Sequence, residues 1–338
     1  MKNKKIKFAL ILLSLLCFLN FNLAFAQNNN NSQEQNEVVE ITISAAGDCT
    51  LGSDLSRGYK NSFMEEFYKQ NKNYGYFFKN VKHIFEKDDL TIVNLEGTLT
   101  NATKMAEKDY RFKGLPEFTN ILKQGNIEAV NLANNHTYDY LVKGYKDTVY
   151  YLEKSGIKYF GRENRTIVEV KGIKLGLLGY SGRIDSKALR NTIKNDIKYL
   201  KSKGASVVIV NFHWGEEKNY YANETQKSLG RFTIDCGADL VLGHHPHVIQ
   251  GIEEYKGKKI IYSLGNFCFG GNKNPFDKDT FIYQQTFKFK EGKLVDSKSY
   301  KIIPCSVSSV KYRNNYQPTP LTGKDAQRVL DRIKMYSK

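Results

Sequence analysis

Proline is rare, 6 of 338 residues, and glycine reaches only 26, which excludes a collagen-like or low-complexity chain. Cysteine is scarce too: five residues with no C-x-x-C spacing exclude a disulfide scaffold and a zinc knuckle. A mean hydropathy of −0.51 excludes a multi-span membrane protein. Acidic residues are in deficit, 35 against 51 Lys and Arg, for a formal net charge of +16. Such a balance favours anionic partners such as nucleic acid, teichoic acid, polycarboxylate or acidic lipid, without choosing among them. What is plentiful is core material: 41% hydrophobic residues, with 22 Tyr and 20 Phe, suffice for one large or two small domains.

The start of the chain has the layout of an export signal. Lys2, Lys4, Lys5 and Lys7 precede an apolar run from Phe8 to Leu19, and Ala24-Phe25-Ala26 offers a small-x-small cleavage site. Residues 1–26 therefore read as a signal peptide or, since Phe8 to Ala26 is just long enough to span a bilayer, as a retained N-terminal membrane anchor. Leu16 before Cys17 argues against lipoprotein processing. Residues 27–37 form a polar Asn/Gln linker that cannot bury a core. Residues 38–338 are the folded body, expected on the extracellular face of the membrane or secreted. Without the four leader lysines the balance is still +12, 47 basic against 35 acidic residues.

Along the body, short β-branched runs alternate with longer amphipathic stretches, the pattern of a layered α/β fold. Strands are expected at Val38–Ala46, Leu90–Asn94, Ala129–Leu132, Lys174–Tyr180, Ser206–Phe212, Leu240–Leu242 and Lys259–Leu264. Helical periods fit Phe63–Lys69, Pro116–Gln124, Gly144–Lys154, Ser186–Lys201 and Glu224–Gly230. From Asp279 onward, alternating aromatics read as closing hairpins, followed by a terminal helix over Thr322–Tyr336.

What the strands run into is informative. They end in Gly47-Asp48, Asn94-Leu95-Glu96-Gly97, Asn134-Asn135-His136, His213-Trp214-Gly215 and Gly243-His244-His245-Pro246-His247, loops that hold five of the six histidines. In layered α/β folds the carboxyl ends of the strands form the site crevice, so loops nearly two hundred residues apart can converge. Taken singly, each has a plain structural reading. Asp48 or Glu96 can be a turn or cap residue, Asn134-Asn135 turn chemistry, His213 a hydrogen-bonded core histidine and His83 a surface residue. Together they offer carboxylates, amides and imidazoles, a hard-to-borderline set suited to Mn, Fe or Zn. Glu96 can bridge two ions, and Pro246 stiffens the segment between two imidazoles. A metal pair stabilises the attacking and leaving oxygens of phosphoryl hydrolysis, while a nearby histidine protonates the departing oxygen.

These motifs, with Asp139, Gly237-Ala238-Asp239, His245-Pro246-His247-Val248 and Tyr262-Ser263-Leu264-Gly265-Asn266-Phe267, resemble the CapA/PgsA family from about Ile41 to Phe269. That is the capsule-type poly-γ-glutamate biosynthesis family, whose domain is similar to the calcineurin-like metallophosphoesterases. The resemblance implies a four-layer sandwich, two central sheets flanked by helices, in an extracytoplasmic domain that makes or exports poly-γ-glutamate beside membrane polyglutamate synthase subunits. Carried onto this chain, it makes Asp48, Glu96 and His247 ligands of one divalent metal, and Glu96, Asn135, His213 and His245 ligands of a second. His136 takes the place of the leaving-group acid, with Asp139 orienting it. Glu217 matches an acidic position after the family's His-Trp-Gly, and with Asn134, His244 and Asn266 it is placed among the substrate contacts. Three positions depart from the pattern: Thr50 stands where a metal-binding His follows the first Asp, Glu96 where the bridging residue is Asp, and Lys218 where an aromatic is usual. The first metal position is therefore ligand-poor.

Three functions follow as expectations. The chain is an assembly or export accessory for an anionic polymer, held by weak, salt-sensitive contacts. Alternatively, it is a metal-dependent hydrolase of an envelope phosphoester or γ-glutamyl amide. The third, ranked last, is a nucleic-acid or teichoic-acid binder acting by charge alone; a nucleic-acid partner is not expected, because the lysines are scattered rather than interleaved with aromatics in one stripe.

Overall fold

The computed structural model describes residues 38–338; the leader and the linker expected over 1–37 lie outside the described residues. Three stretches of chain build the fold. The first supplies β1 (Val39–Thr50), β2 (Leu90–Leu95), β3 (Thr98–Leu99), β4 (Lys113–Gly114), β5 (Ala129–Asn131) and β6 (Lys158–Phe160). Its helices are α1 (Phe63–Lys69), α2 (Thr119–Gln124) and α3 (Leu141–Lys154). The second supplies β7 (Thr166–Val170), β8 (Ile173–Ser181), α4 (Lys187–Ser202), β9 (Val207–His213), α5 (Glu224–Asp235), β10 (Leu240–His244), β11 (Ile252–Tyr255) and β12 (Lys258–Ile261). The third returns to the first sheet with β13 (Asn266–Phe269), β14 (Asp279–Lys290), β15 (Lys293–Ser306) and β16 (Thr319–Pro320), and closes with α6 (Gly323–Tyr336).

One sheet runs β16-β15-β14-β1-β2-β5-β6, with β13 against the end of β1; the other runs β11-β12-β10-β9-β8-β7. The central neighbours β1, β2, β5 and β6 are parallel, as are β8, β9, β10 and β12, so their carboxyl ends gather at one edge of each sheet. Period-two patterning sorts the side chains. Ile43, Ile92 and Ala129 pack from the first sheet against Leu177, Ile209 and Leu242 of the second. Val93 and Val130 face outward under α1 to α3, and Val208, Val210 and Val241 face outward under α4 and α5. Helix, sheet, sheet and helix make four layers, and α6 sends Val329 and Ile333 into the central one. Helix starts follow local chemistry: Ser62, Ser186 and Asn223 cap α1, α4 and α5, the last in a capping box with Gln226.

Two differences from the sequence reading bear on the site. β1 does not stop at Ala46 but continues to Thr50, because its last residues pair with β2 on one side and β13 on the other. Asp48 therefore sits inside the sheet, just past a register shift between Ala45 and Asp48, an irregularity of the kind that re-aims a side chain. The strand expected over Lys259–Leu264 is β12, which ends at Ile261; a bend and an isolated bridge from Leu264 to Ile249 then precede β13.

Candidate metal centre

Gly47 fixes the first ligand. Its Cα packs so close to the backbone of Gly265 that a Cβ would lie 2.0 Å from the Gly265 carbonyl oxygen, and the Asp48 amide donates to that oxygen at 2.9 Å. The Asp48 carboxylate is fully buried and accepts from Asn94 Nδ2 at 2.8 Å on Oδ1 and from the His245 amide at 3.3 Å on Oδ2. His244 Nδ1 and His247 Nδ1 stand 3.5 and 3.4 Å from it. Burial works to raise this carboxyl, but the two imidazoles outweigh it and hold it well below the usual carboxylate range.

Glu96, just past β2, is also fully buried, yet neither of its carboxylate oxygens has a hydrogen-bond partner among the described residues. Three imidazole Nε2 atoms surround its Oε1: His136 at 3.7 Å, His213 at 3.8 Å and His247 at 3.9 Å. These separations are too long for hydrogen bonds, and those of His213 and His247 suit ligand atoms that would each share a cation with Glu96. Burial pushes the Glu96 carboxyl well above its ordinary value. An unpartnered buried carboxylate is expensive, and a cation is the usual compensation.

The opposing wall comes from the second sheet. His213 ends β9, and its Nε2 lies 2.7 Å from Asn135 Oδ1, while the His213 and His245 rings meet at a tilt, 4.6 Å between centroids. His245 and His247 both have left-handed backbones, φ +97° and +57°, costing roughly 1–3 kcal/mol each at non-glycine residues. Pro246 thus joins two strained residues, and the contacts around the turn hold them. Asn266 accepts from His247 Nδ1 at 2.9 Å and donates to the His247 carbonyl at 3.1 Å, which leaves Nε2 to face Glu96. Burial, with His247 nearby, pushes His245 down to about 4, and burial with His245 nearby holds His213 well below its ordinary value. Burial also works against charge on His247, but Glu96 and Asp48 prevail and push it up to about 10. In this site the two carboxylates draw a proton onto His247, the role a divalent cation would take over.

Three sets of ligand atoms lie within 4.8 Å of one another: Asp48, Glu96 and His247; Glu96, His213 and His245; and Glu217, His245 and His247. The donor set fits a hard or borderline divalent metal, and the orphaned Glu96 oxygens give it a seat. His136 lies beside this cluster. Its Nδ1 is 2.7 Å from Asp139 Oδ2, its ring stacks on Phe112 at 4.1 Å, and burial lowers its pKa while Asp139 opposes. Asp139 in turn accepts from the Phe112 amide at 2.6 Å and from Lys108 Nζ at 2.7 Å.

The structure thus brings Asp48, Glu96, Asn135, His136, Asp139, His213, His245, His247, Glu217 and Asn266 to one place. Two residues expected among substrate contacts lie behind the ligands rather than at the cleft. His244 is sealed behind Asp48, its Nε2 against Asn211 Oδ1 at 3.1 Å. Asn134 is buried and ties its loop to β2, donating to the Leu95 carbonyl at 2.9 Å and accepting from the His136 amide at 3.0 Å. Thr50 gives its hydroxyl to the Glu96 carbonyl at 2.8 Å. Sequence reasoning missed the amides behind the ligands: Asn94 accepts from Asn131 Nδ2 at 3.0 Å while donating to Asp48. It also missed Lys108 and Phe112, which lie on a connecting segment with no motif; the β3 to β4 ladder, Thr98 amide to Phe112 carbonyl at 3.1 Å, carries them to the site. A cleft of about 180 Å³ opens over the cluster, lined by Tyr110, Phe112, His136, Glu217, His247 and Phe269 among others.

Residues 42–271 match the family described as bacterial capsule synthesis protein PGA_cap. The chain is 33% identical over 213 residues to the PGA biosynthesis protein CapA of Bacillus subtilis (strain 168), a match covering 57% of this chain and 56% of that protein. It is 31% identical over 220 residues to the capsule biosynthesis protein CapA of Bacillus anthracis, covering 57% and 54%. The match spans about half the length of these curated relatives. Among solved structures, a hypothetical protein from Thermus thermophilus superposes with a TM-score of 0.47 at 16% identity, over 78% of this chain and 99% of that one.

Proposed function

Since this chain belongs to the bacterial capsule synthesis protein PGA_cap family, we propose that it is an extracytoplasmic accessory of poly-γ-glutamate synthesis or export whose cleft holds one or two divalent cations. The observation that carries the metal is the Glu96 carboxylate, buried without a hydrogen-bond partner among imidazoles that point at it. Asp48, Glu96 and His247 would hold one ion; Glu96, Asn135, His213 and His245 would hold the other. The cations supply positive charge for an anionic group of the polymer, and the basic surface adds weak, salt-sensitive attraction. Export, and partnership with membrane synthase subunits, belong to the same proposal. The test is binding of poly-γ-glutamate by the full chain, metal-loaded or chelated, at low and high salt. Binding that needs metal and weakens with salt supports the proposal; binding indifferent to both contradicts it.

A second reading is favoured by one arrangement. His136 gives its Nδ1 to Asp139, which Lys108 and the Phe112 amide hold in place, so His136 Nε2 is free to carry or deliver a proton at the cleft. Bound cations would polarise a phosphoryl or carbonyl oxygen of a substrate. Phe112 and Phe269 flank the cleft, against His136 and His247. On this reading the chain is a hydrolase of an envelope phosphoester or γ-glutamyl amide, and turnover by the metal-loaded chain that disappears in His136→Ala is its test.

A further inference from the structure

We propose that Glu217 is a ligand of the bound cations, closing the centre from its solvent side. The inference rests on the metal reading above and adds a residue to it. Glu217 is exposed, on the loop after β9, and a lone exposed carboxylate there would carry no argument. Its surroundings supply one. A Glu217 carboxylate oxygen and one ring nitrogen each of His245 and His247 lie within 4.8 Å of one another. His245 is only 3% exposed, and its Nδ1 has no hydrogen-bond partner among the described residues. An unpartnered buried nitrogen beside a carboxylate asks for a shared cation.

The loop is built to hold Glu217 there. Gly215 has φ +73°, and a Cβ on it would lie 2.8 Å from the Gln226 side chain, so the chain turns only because nothing projects. One residue earlier, the Trp214 amide donates to the His244 carbonyl at 3.1 Å; one residue later than Glu217, the Lys218 amide donates to the Pro246 carbonyl at 2.8 Å. Glu217 is thus clipped, by backbone bonds on both flanks, to the turn that carries His245 and His247.

The three ligand groups share corners. Glu96 is common to the two inner groups, while His245 and His247 each join one inner group to Glu217. Glu96 lies at the buried floor and Glu217 at the rim. The position of Asp48, Glu96 and His247 is short of ligands because the Thr50 hydroxyl is committed to a backbone carbonyl. Structural and catalytic metals of this class take four or more ligands, and Glu217 adds a carboxylate beside His245 and His247, one ligand from each inner position.

The test is calorimetric titration of the chelator-treated full chain with manganese(II), comparing wild type with Glu217→Gln, Glu216→Gln and His245→Ala. Glu216 is its exposed neighbour, so Glu216→Gln removes the same charge from the same loop. Affinity at least tenfold weaker in Glu217→Gln, with Glu216→Gln unchanged, is the expected result. Glu217→Gln equal to wild type while His245→Ala loses binding would overturn the Glu217 assignment and leave the metal reading standing. Equal losses in Glu217→Gln and Glu216→Gln would reduce the effect to net charge and overturn ligation. Failure of wild type to bind, or unaltered binding by His245→Ala, would bring down the metal reading and this inference together.

Discussion

Both ends of the first sheet bury carboxylates, and they do so differently. At the amino ends of β2 and β5, Glu128 Oε2 accepts from the Thr91 amide and Asp88 Oδ2 from the Thr91 hydroxyl, each at 2.8 Å. One Asp88 oxygen lacks a partner, and burial raises Asp88 to about 6 and Glu128 to about 7. At the carboxyl ends, Glu96 has no partner on either oxygen and faces imidazoles instead of amides. Among the described residues no backbone donor reaches those oxygens, and the side chains around them are of metal-ligating type. Burial raises the carboxyls at both ends, but at one end they meet amide and hydroxyl donors and at the other imidazoles that could share a cation with Glu96.

The largest test of this contrast is Glu96→Gln. Because Glu96 belongs to both inner ligand groups, the variant should lose at least tenfold in affinity for every bound ion, measured by metal content and titration. Loss of only one ion would mean that Glu96 does not bridge. If the hydrolase reading holds, Asp139→Asn should keep the metal yet lower turnover about 10²- to 10⁴-fold, because His136 would no longer be oriented. Chelation should remove stability by an amount that grows with the metal concentration used before it, about 2.7 kcal/mol at a hundredfold excess over Kd, read as a fall in melting temperature.

The amino end should give the smallest effect, a dependence on pH. Asp88 and Glu128 have folded-state pKa values raised above their ordinary ones, so the folded chain holds more protons than the unfolded chain between about pH 4 and pH 7. Stability from these groups is therefore present at the acid side of that window and lost as pH rises through it. Glu128→Gln should flatten that slope in denaturant titrations, with metal content unchanged. An unchanged slope would break the contrast between the two ends.

Much of the site was legible because its ligands follow strands directly. A hydrophobic run that stops at Asp48, Glu96, His213 or His244 announces both the strand and the polar group at its end, and parallel order in the sheet brings those ends together. Lys108 and Phe112 could not be read this way, since they sit between short ladders with no period of their own. Nor could Asn94 and Asn131, which look like ordinary strand residues and act through their amides behind the ligands. His244, the last residue of its strand, is paired in register with His213 and stands behind Asp48 rather than at the cleft, a depth that its place in the sequence does not show. Asp48 was read as a loop residue because a bulge before it breaks the period that strand reading relies on.

The central claim is that the buried Glu96 and its surrounding histidines hold a divalent cation. Elemental analysis of the full chain purified without chelator, beside His245→Ala, tests it most directly. The account predicts one or two equivalents of manganese, iron or zinc in wild type and a clear fall in the folded variant. A folded wild-type chain free of metal, or a variant that keeps the same content, would contradict it.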